Sequence, residues 1–210
     1  MKIHIFLLTA LSLSLASAAE WETLFDGKNL DHWTTQKGEP VTKGWVIQNG
    51  ELHRPKSAGS INSKKSYQNF ILEFDWKISE AGNSGVKYRF ADGLGLEYQI
   101  LDDSKHKDRK NPTHRTASLY DIKAAPDTKP VNPVGQWNHA KIVANGTKIE
   151  HWLNGKLVVS IDQSTDEWKT AFAKSKYKKA KNFGTRPGHI HLQDHQDPVW
   201  FRNIRIQSLD

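Results

Sequence analysis

Between residues 44 and 206, short stretches of the chain place an apolar side chain at every second position, and Gly, Asn or Asp separates one stretch from the next. A period of two belongs to a strand with one buried face, and a helix cannot satisfy it. Strands are therefore expected over residues 44–48, 70–78, 86–90, 96–101, 139–144, 148–153, 156–160, 188–192 and 199–206. Asn49-Gly50, Asn145-Gly146 and Asn154-Gly155 supply the positive φ of tight hairpin turns, and the last two bracket a three-strand meander. One helix interrupts the pattern. Ser164-x-x-Glu167 reads as a capping box, with Trp168, Ala171 and Phe172 following at helical spacing. The polar stretch 102–133 lacks periodicity and is expected to form loops over one end or face of an all-β sandwich.

Lys2, the apolar run over residues 3–16 and the small residues Ala16-Ser17-Ala18 predict a secretory leader over residues 1–18. That run is shorter than the roughly 20 residues a spanning helix needs. With no cysteine in the chain, neither a disulfide nor a lipid-carrying thiol is possible. The expected product is secreted or periplasmic, does not insert into a membrane, and must hold its fold by burial alone, as one domain over residues 19–210. The formal net charge is +7, and Lys174, Lys176, Lys178, Lys179 and Lys181 concentrate it. In an exported protein this run reads as a solvated helix end rather than a nucleic-acid patch.

Splitting each strand into its two faces gives one apolar and one polar set. Val86, Tyr88 and Phe90 oppose Lys87 and Arg89; Leu96, Tyr98 and Ile100 oppose Glu97 and Gln99; Ile190 and Leu192 oppose His189, His191 and Gln193. In the stretch 148–154, Ile149 and Leu153 read as inward and Glu150, Trp152 and Asn154 as outward, while His151 falls on the core side. If these strands share a sheet, one face collects Lys87, Arg89, Glu97, Gln99, Glu150, Trp152, His191 and Gln193. Antiparallel sheets commonly leave one face to water. Plain solvation does not call for Gln, His, Arg and Trp together, and a carbohydrate is the expected partner. Trp152 offers a flat surface for a sugar ring. Trp33, Trp45, Trp76, Trp137 and Trp200 are expected in the core.

On these residues the chain resembles the 3-keto-disaccharide hydrolase domain family. The likeness rests on Leu24-Phe25-Asp26-Gly27-Lys28-Asn29-Leu30 with Trp33, Gly82-Asn83-Ser84-Gly85-Val86, and Glu97-Tyr98-Gln99-Ile100-Leu101-Asp102. Gly135-Gln136-Trp137-Asn138, Trp152-Leu153-Asn154-Gly155, Leu192-Gln193-Asp194-His195 and Phe201-Arg202-Asn203-Ile204 continue it. Gln196 stands where the family often has Gly, and Ala117-Ser118-Leu119-Tyr120 replaces Gly-Ala-Leu-Tyr. The resemblance implies a concanavalin-like jelly roll with its site on the concave face, acting on glycosides oxidised at C3.

A C3 ketone acidifies the C2 proton, so the site implied needs a base, a cation for the enolate oxygen and an acid for the leaving group. Glu97, His195 or His191 could serve as base or acid, and Lys87 and Arg89 could stabilise the enolate. Asn83, Gln99, Asp102, Gln193 and Asp194 would hold hydroxyls, with His114 and Tyr120 closing the site from the long loop. No particular cofactor is implied, and Glu97 with a histidine could hold a divalent ion. Two rivals use the same sandwich. A retaining glycosidase would need Glu-x-Asp-x-x-Glu, but Glu73-Phe74-Asp75 is followed by Ile78 at the last position; a lectin would need only the polar face.

Overall fold

The computed structural model describes residues 20–56 and 58–210, and the expected leader lies outside them. Among the described residues, thirteen strands form two antiparallel sheets. The larger sheet contains β1 (Trp21–Phe25), β3 (Val46–Gln48), β4 (Glu51–Arg54), β6 (Phe70–Ile78), β9 (Asn138–Asn145), β10 (Lys148–Leu153), β11 (Lys156–Asp162) and β13 (Val199–Ser208). Its order is β11-β10-β9-β6-β13-β4-β3, with β1 also on β13. The smaller sheet contains β2 (Trp33–Thr35), β5 (Ile61–Tyr67), β7 (Asn83–Ala91), β8 (Leu94–Leu101) and β12 (Gly188–Leu192), in the order β2-β5-β12-β7-β8. This is the concanavalin-like sandwich expected.

Strand β6 shows why the layers form. Phe70, Leu72, Phe74, Trp76 and Ile78 are buried at alternate positions, while Ile71, Glu73, Asp75 and Lys77 face outward. Across the sandwich, Phe74 meets Tyr98 edge to face at 5.7 Å and Phe70 meets Tyr88 at 6.0 Å, a favoured arrangement of aromatic quadrupoles. His151 is a core residue, as expected, bonded to the Tyr88 hydroxyl at 2.8 Å and the Ala117 carbonyl at 3.0 Å. Burial pushes its pKa down to about 4, so the imidazole is neutral.

Several expectations are corrected. Strands β1, β2, β4 and β5 lie outside the expected stretches; β4 buries Arg54 beside Leu52 on its inner face, and β5 buries Asn62 and Ser63 in succession. The helix α1 (Asp166–Lys174) is capped by Thr165, whose hydroxyl oxygen accepts the Trp168 N–H, while Ser164 donates to Asp162. It ends at Lys174, so Lys176 to Lys181 lie in turns beyond it. Trp33, Trp45 and Trp76 are buried, but Trp137 and Trp200 lie on the outer face of the larger sheet, partly open to water. Trp200 stands between the buried Val199 and Phe201, and the pleat turns it outward. Lys77 Nζ lies over both rings, 4.6 Å from Trp137 and 4.9 Å from Trp200. Among the described residues no helix is long and apolar enough to cross a membrane.

Candidate active site

The register of the smaller sheet builds one row of side chains across all five strands. Thr34 pairs with Asn62, Asn62 with His191, His191 with Lys87 and Lys87 with Glu97. The next row on the same face pairs Gly85 with Gln99. Beyond it Asn83 accepts from the Gln99 side-chain amide at 3.2 Å. Gln193 joins the face because its N–H donates to the Gly85 carbonyl at 2.9 Å.

Glu97 is the centre of this arrangement. Its side chain is 4% exposed and Lys87 Nζ stands 3.8 Å from the carboxylate. Burial raises its pKa above the ordinary carboxyl range, and the charges of Lys87, Lys176, His195 and His114 oppose that rise. The carboxylate lies over Gly85, where an added Cβ would fall 2.6 Å from Glu97 Oε1 and 3.3 Å from Gln193 Oε1. A side chain there would push the carboxylate aside while leaving the backbone unstrained. Gly85→Ala is therefore expected to keep its melting temperature and lose about 10²-fold in kcat. Unchanged rates in a folded variant would show that the placement of Glu97 does not matter.

His191 is 3% exposed, with Nδ1 2.7 Å from Asn62 Oδ1 and its ring packed on Phe90 at 4.1 Å. Burial, with Lys87 adding to it, pushes its pKa down to about 3, which keeps it neutral. With Asn62 Oδ1 accepting, Nδ1 carries the proton and Nε2 keeps a lone pair. The side-chain oxygens of Gln99 and Gln193 are buried without a donor among the described residues. An amide oxygen left so costs about 1–3 kcal/mol, which a hydrogen-bond donor on a bound ligand would offset.

The long loop closes the free side of β8. The Ala117 N–H donates to Gln99 O, the Gln99 N–H to Ser118 O and the Tyr120 N–H to Glu97 O, at 2.8, 3.2 and 3.0 Å. These bonds fix Tyr120 beside the site, its ring stacked on His114 at 4.3 Å. Burial, with the charge of Glu97, pushes the phenol up to about 12. His195 is exposed at the rim, close enough for its charge to act on Glu97.

Other expected site residues have structural duties. Arg89 is buried at φ 47° and donates to the carbonyls of Gln68, Gly184 and Gly146. Register shifts on both sides of β7 break the alternation there, turning Arg89 away from Lys87 and bringing Phe90 to the polar face. Asp194 pairs with the fully buried Arg54 and accepts the N–H groups of Ala58, Gly59 and Gln196. Asp102 accepts from Ala81, Ser104 and Lys105 and caps a turn. Trp152 and Glu150 sit on β10, in the other sheet, where Lys141 covers the Trp152 ring at 3.9 Å. Among the described residues no three His, Cys, Asp or Glu side chains group as metal ligands would, so Glu97 and a histidine have no third partner for the ion considered. The sequence reading missed Asn62 and Thr34, which only the register reveals, and Lys176, which the charge run concealed.

Fold and face together define a concanavalin-like jelly-roll protein with a candidate acid–base site on its smaller sheet. The chain belongs to the 3-keto-alpha-glucoside-1,2-lyase-like domain family, whose model matches residues 20–207. It is 32% identical to a 3-keto-disaccharide hydrolase of Bacteroides thetaiotaomicron, over 90% of this chain and 78% of that protein. An inferred glycosyl hydrolase of Parabacteroides distasonis has a crystal structure that superposes with a TM-score of 0.83 at 30% identity, covering 90% of this chain and 94% of that one. The catalytic domain of a laminarinase from Thermotoga petrophila shares the fold alone, with a TM-score of 0.53 at 11% identity, covering 91% of this chain and 100% of that one.

Proposed function

We propose that the protein is an exported carbohydrate hydrolase that cleaves 3-keto-glycosides by elimination across C1 and C2 followed by addition of water. The observation that carries this reading is the isolation of Glu97. Asp194 is spent on Arg54 and backbone N–H groups, Asp102 on its turn, and Glu97 is left as the one carboxylate of the row, beside Lys87. An ordinary glycosidase uses two carboxyl groups flanking the bond. A keto sugar needs one base.

In this reading Glu97 takes the C2 proton, and the C2–H electron pair forms the C2–C3 double bond of an enolate whose oxygen faces Lys87. The enolate then re-forms the ketone and expels the C1 substituent, to which His195 at the rim supplies a proton. Water adds its hydroxyl to C1 and its proton to C2, giving the 3-keto sugar; release before that step would make the enzyme a lyase. Gln99, Gln193 and Asn83 hold hydroxyls, and neutral His191 offers Nε2 to another. The family name and the Bacteroides relative support the substrate class.

The test is to incubate the protein with a 3-keto-glucoside and its unoxidised parent in deuterium oxide. Glucosidic cleavage of the keto sugar only, with deuterium entering at C2, is expected. Equal turnover of the parent would sink the elimination, and binding without turnover or exchange would make the protein a lectin.

A further inference from the structure

Lys176 belongs to a basic run and is exposed like its other members, yet its own position is fixed from several sides. Ser175 and Tyr177, on either side of it, are buried, and Tyr177 stacks on Phe183 at 4.2 Å. The Lys176 N–H donates to Asp121 Oδ2 at 2.7 Å, while Asp121 Oδ1 lies 3.3 Å from His114 Nε2. One carboxylate, on a residue held at φ 62°, thus ties the segment after α1 to the loop that carries His114 and Tyr120. The ammonium itself stands 4.3 Å over the Tyr120 ring and 5.0 Å from that of Tyr177. Tyr120 is in turn bonded through its N–H to Glu97.

This cation has no carboxylate within ion-pair distance among the described residues. Lys87 pairs with Glu97 within the sheet, whereas the Lys176 ammonium rests on the faces of Tyr120 and Tyr177, with the carboxylates of Glu97, Asp121 and Asp108 acting on it from further away. Two ammonium groups therefore act on one buried carboxylate, Lys87 in ion-pair contact with it and Lys176 from the side of the Tyr120 ring. Two cations so placed favour a state in which negative charge has grown on the substrate. The charges are felt mutually: after the effect of burial, which lowers it, the largest influence on the Lys176 pKa is the carboxylate of Glu97.

We propose that Lys176 is a catalytic residue whose ammonium contacts the C3 oxygen of the substrate and takes up the negative charge that leaves Glu97 when the C2 proton is abstracted. The assignment rests on the keto-glycoside reading. No bond to Lys176 forms or breaks; the proton passes from C2 to Glu97, and the enolate oxygen is held by Lys176 from above and Lys87 from below.

The experiment compares wild type with Lys176→Met, Lys176→Arg and, as a control in the same run, Lys174→Met on a 3-keto-glucoside. Lys176→Met is expected to lose about 10²–10³-fold in kcat with KM within about threefold, the loss of one donor to a developing oxyanion. Lys176→Arg should recover most of that loss and Lys174→Met should match wild type. The acid limb of the Lys176→Met pH profile should move to higher pH, since Glu97 loses a cation that favours its ionised form. A Lys176→Met kcat within about threefold of wild type, or a loss confined to KM, would overturn the proposal. If wild type itself leaves the keto-glucoside untouched, the keto-glycoside reading falls and the carbon-13 titration of the Glu97 carboxyl decides the rest. An upward displacement in Lys176→Met keeps Lys176 as the cation facing Glu97, and an unchanged titration removes it.

Discussion

Glu97→Gln is expected to fold normally and to release product from a 3-keto-glucoside at least about 10²–10⁴-fold more slowly, the range a positioned base contributes. The amide keeps the shape over Gly85 but cannot accept the C2 proton. Wild-type turnover should rise with pH through the Glu97 pKa, which burial places above the ordinary carboxyl range. The stability effect has the opposite sign. The folded protein holds this proton more tightly than the unfolded chain does. Its contribution is full below the unfolded pKa and is lost as pH rises through the folded value. Glu97→Gln should therefore unfold at no lower temperature than wild type at pH 8. Initial rates and thermal unfolding on the same preparations check both halves, and near wild-type rates would remove Glu97 as the base.

Arg54→Met is expected to produce the largest loss of stability, about 3–5 kcal/mol, because it strands a buried carboxylate. Arg54 is fully buried and Asp194 is 4% exposed on its side chain. Burial alone would raise the Asp194 pKa, but the N–H groups of Ala58, Gln196 and Gly59, with Arg54, hold it below the usual range. The stability from this group is present above the unfolded carboxyl pKa and is lost as pH falls through the folded one. Denaturant unfolding at neutral pH measures the cost. Arg54→Met combined with Asp194→Asn should recover part of it, since no charge is then left unpaired. A single variant within about 0.5 kcal/mol of wild type would show that the pair contributes nothing.

Alternation made the sandwich legible and placed Lys87, Glu97, Gln99 and His191 on one face, because each lies on a regular strand with apolar neighbours at both adjacent positions. It failed where its premise fails. At Arg89 the chain bulges, and a residue two positions from Lys87 no longer shares its side of the sheet. At Trp152 the pleat was read correctly but the sheet was not, since a period of two says nothing about which layer a strand joins. Asp194 matched a motif by type while its environment, a buried guanidinium from residue 54, is set by chain segments far apart in sequence. Lys176 was hidden for the converse reason. A basic run looks uniform in composition, and only the anchoring of its flanking residues distinguishes one lysine from the rest.

The loop over residues 117–120 has one more consequence. Strand β8 lies at the border of the smaller sheet, where unpaired N–H and C=O groups would offer a template to a second chain. The same three bonds that seat Tyr120 occupy that border along Glu97 and Gln99. Colloidal behaviour and chemistry thus depend on a shared element. Loosening the loop would disorder the cover of Glu97 and open an edge to aggregation at once.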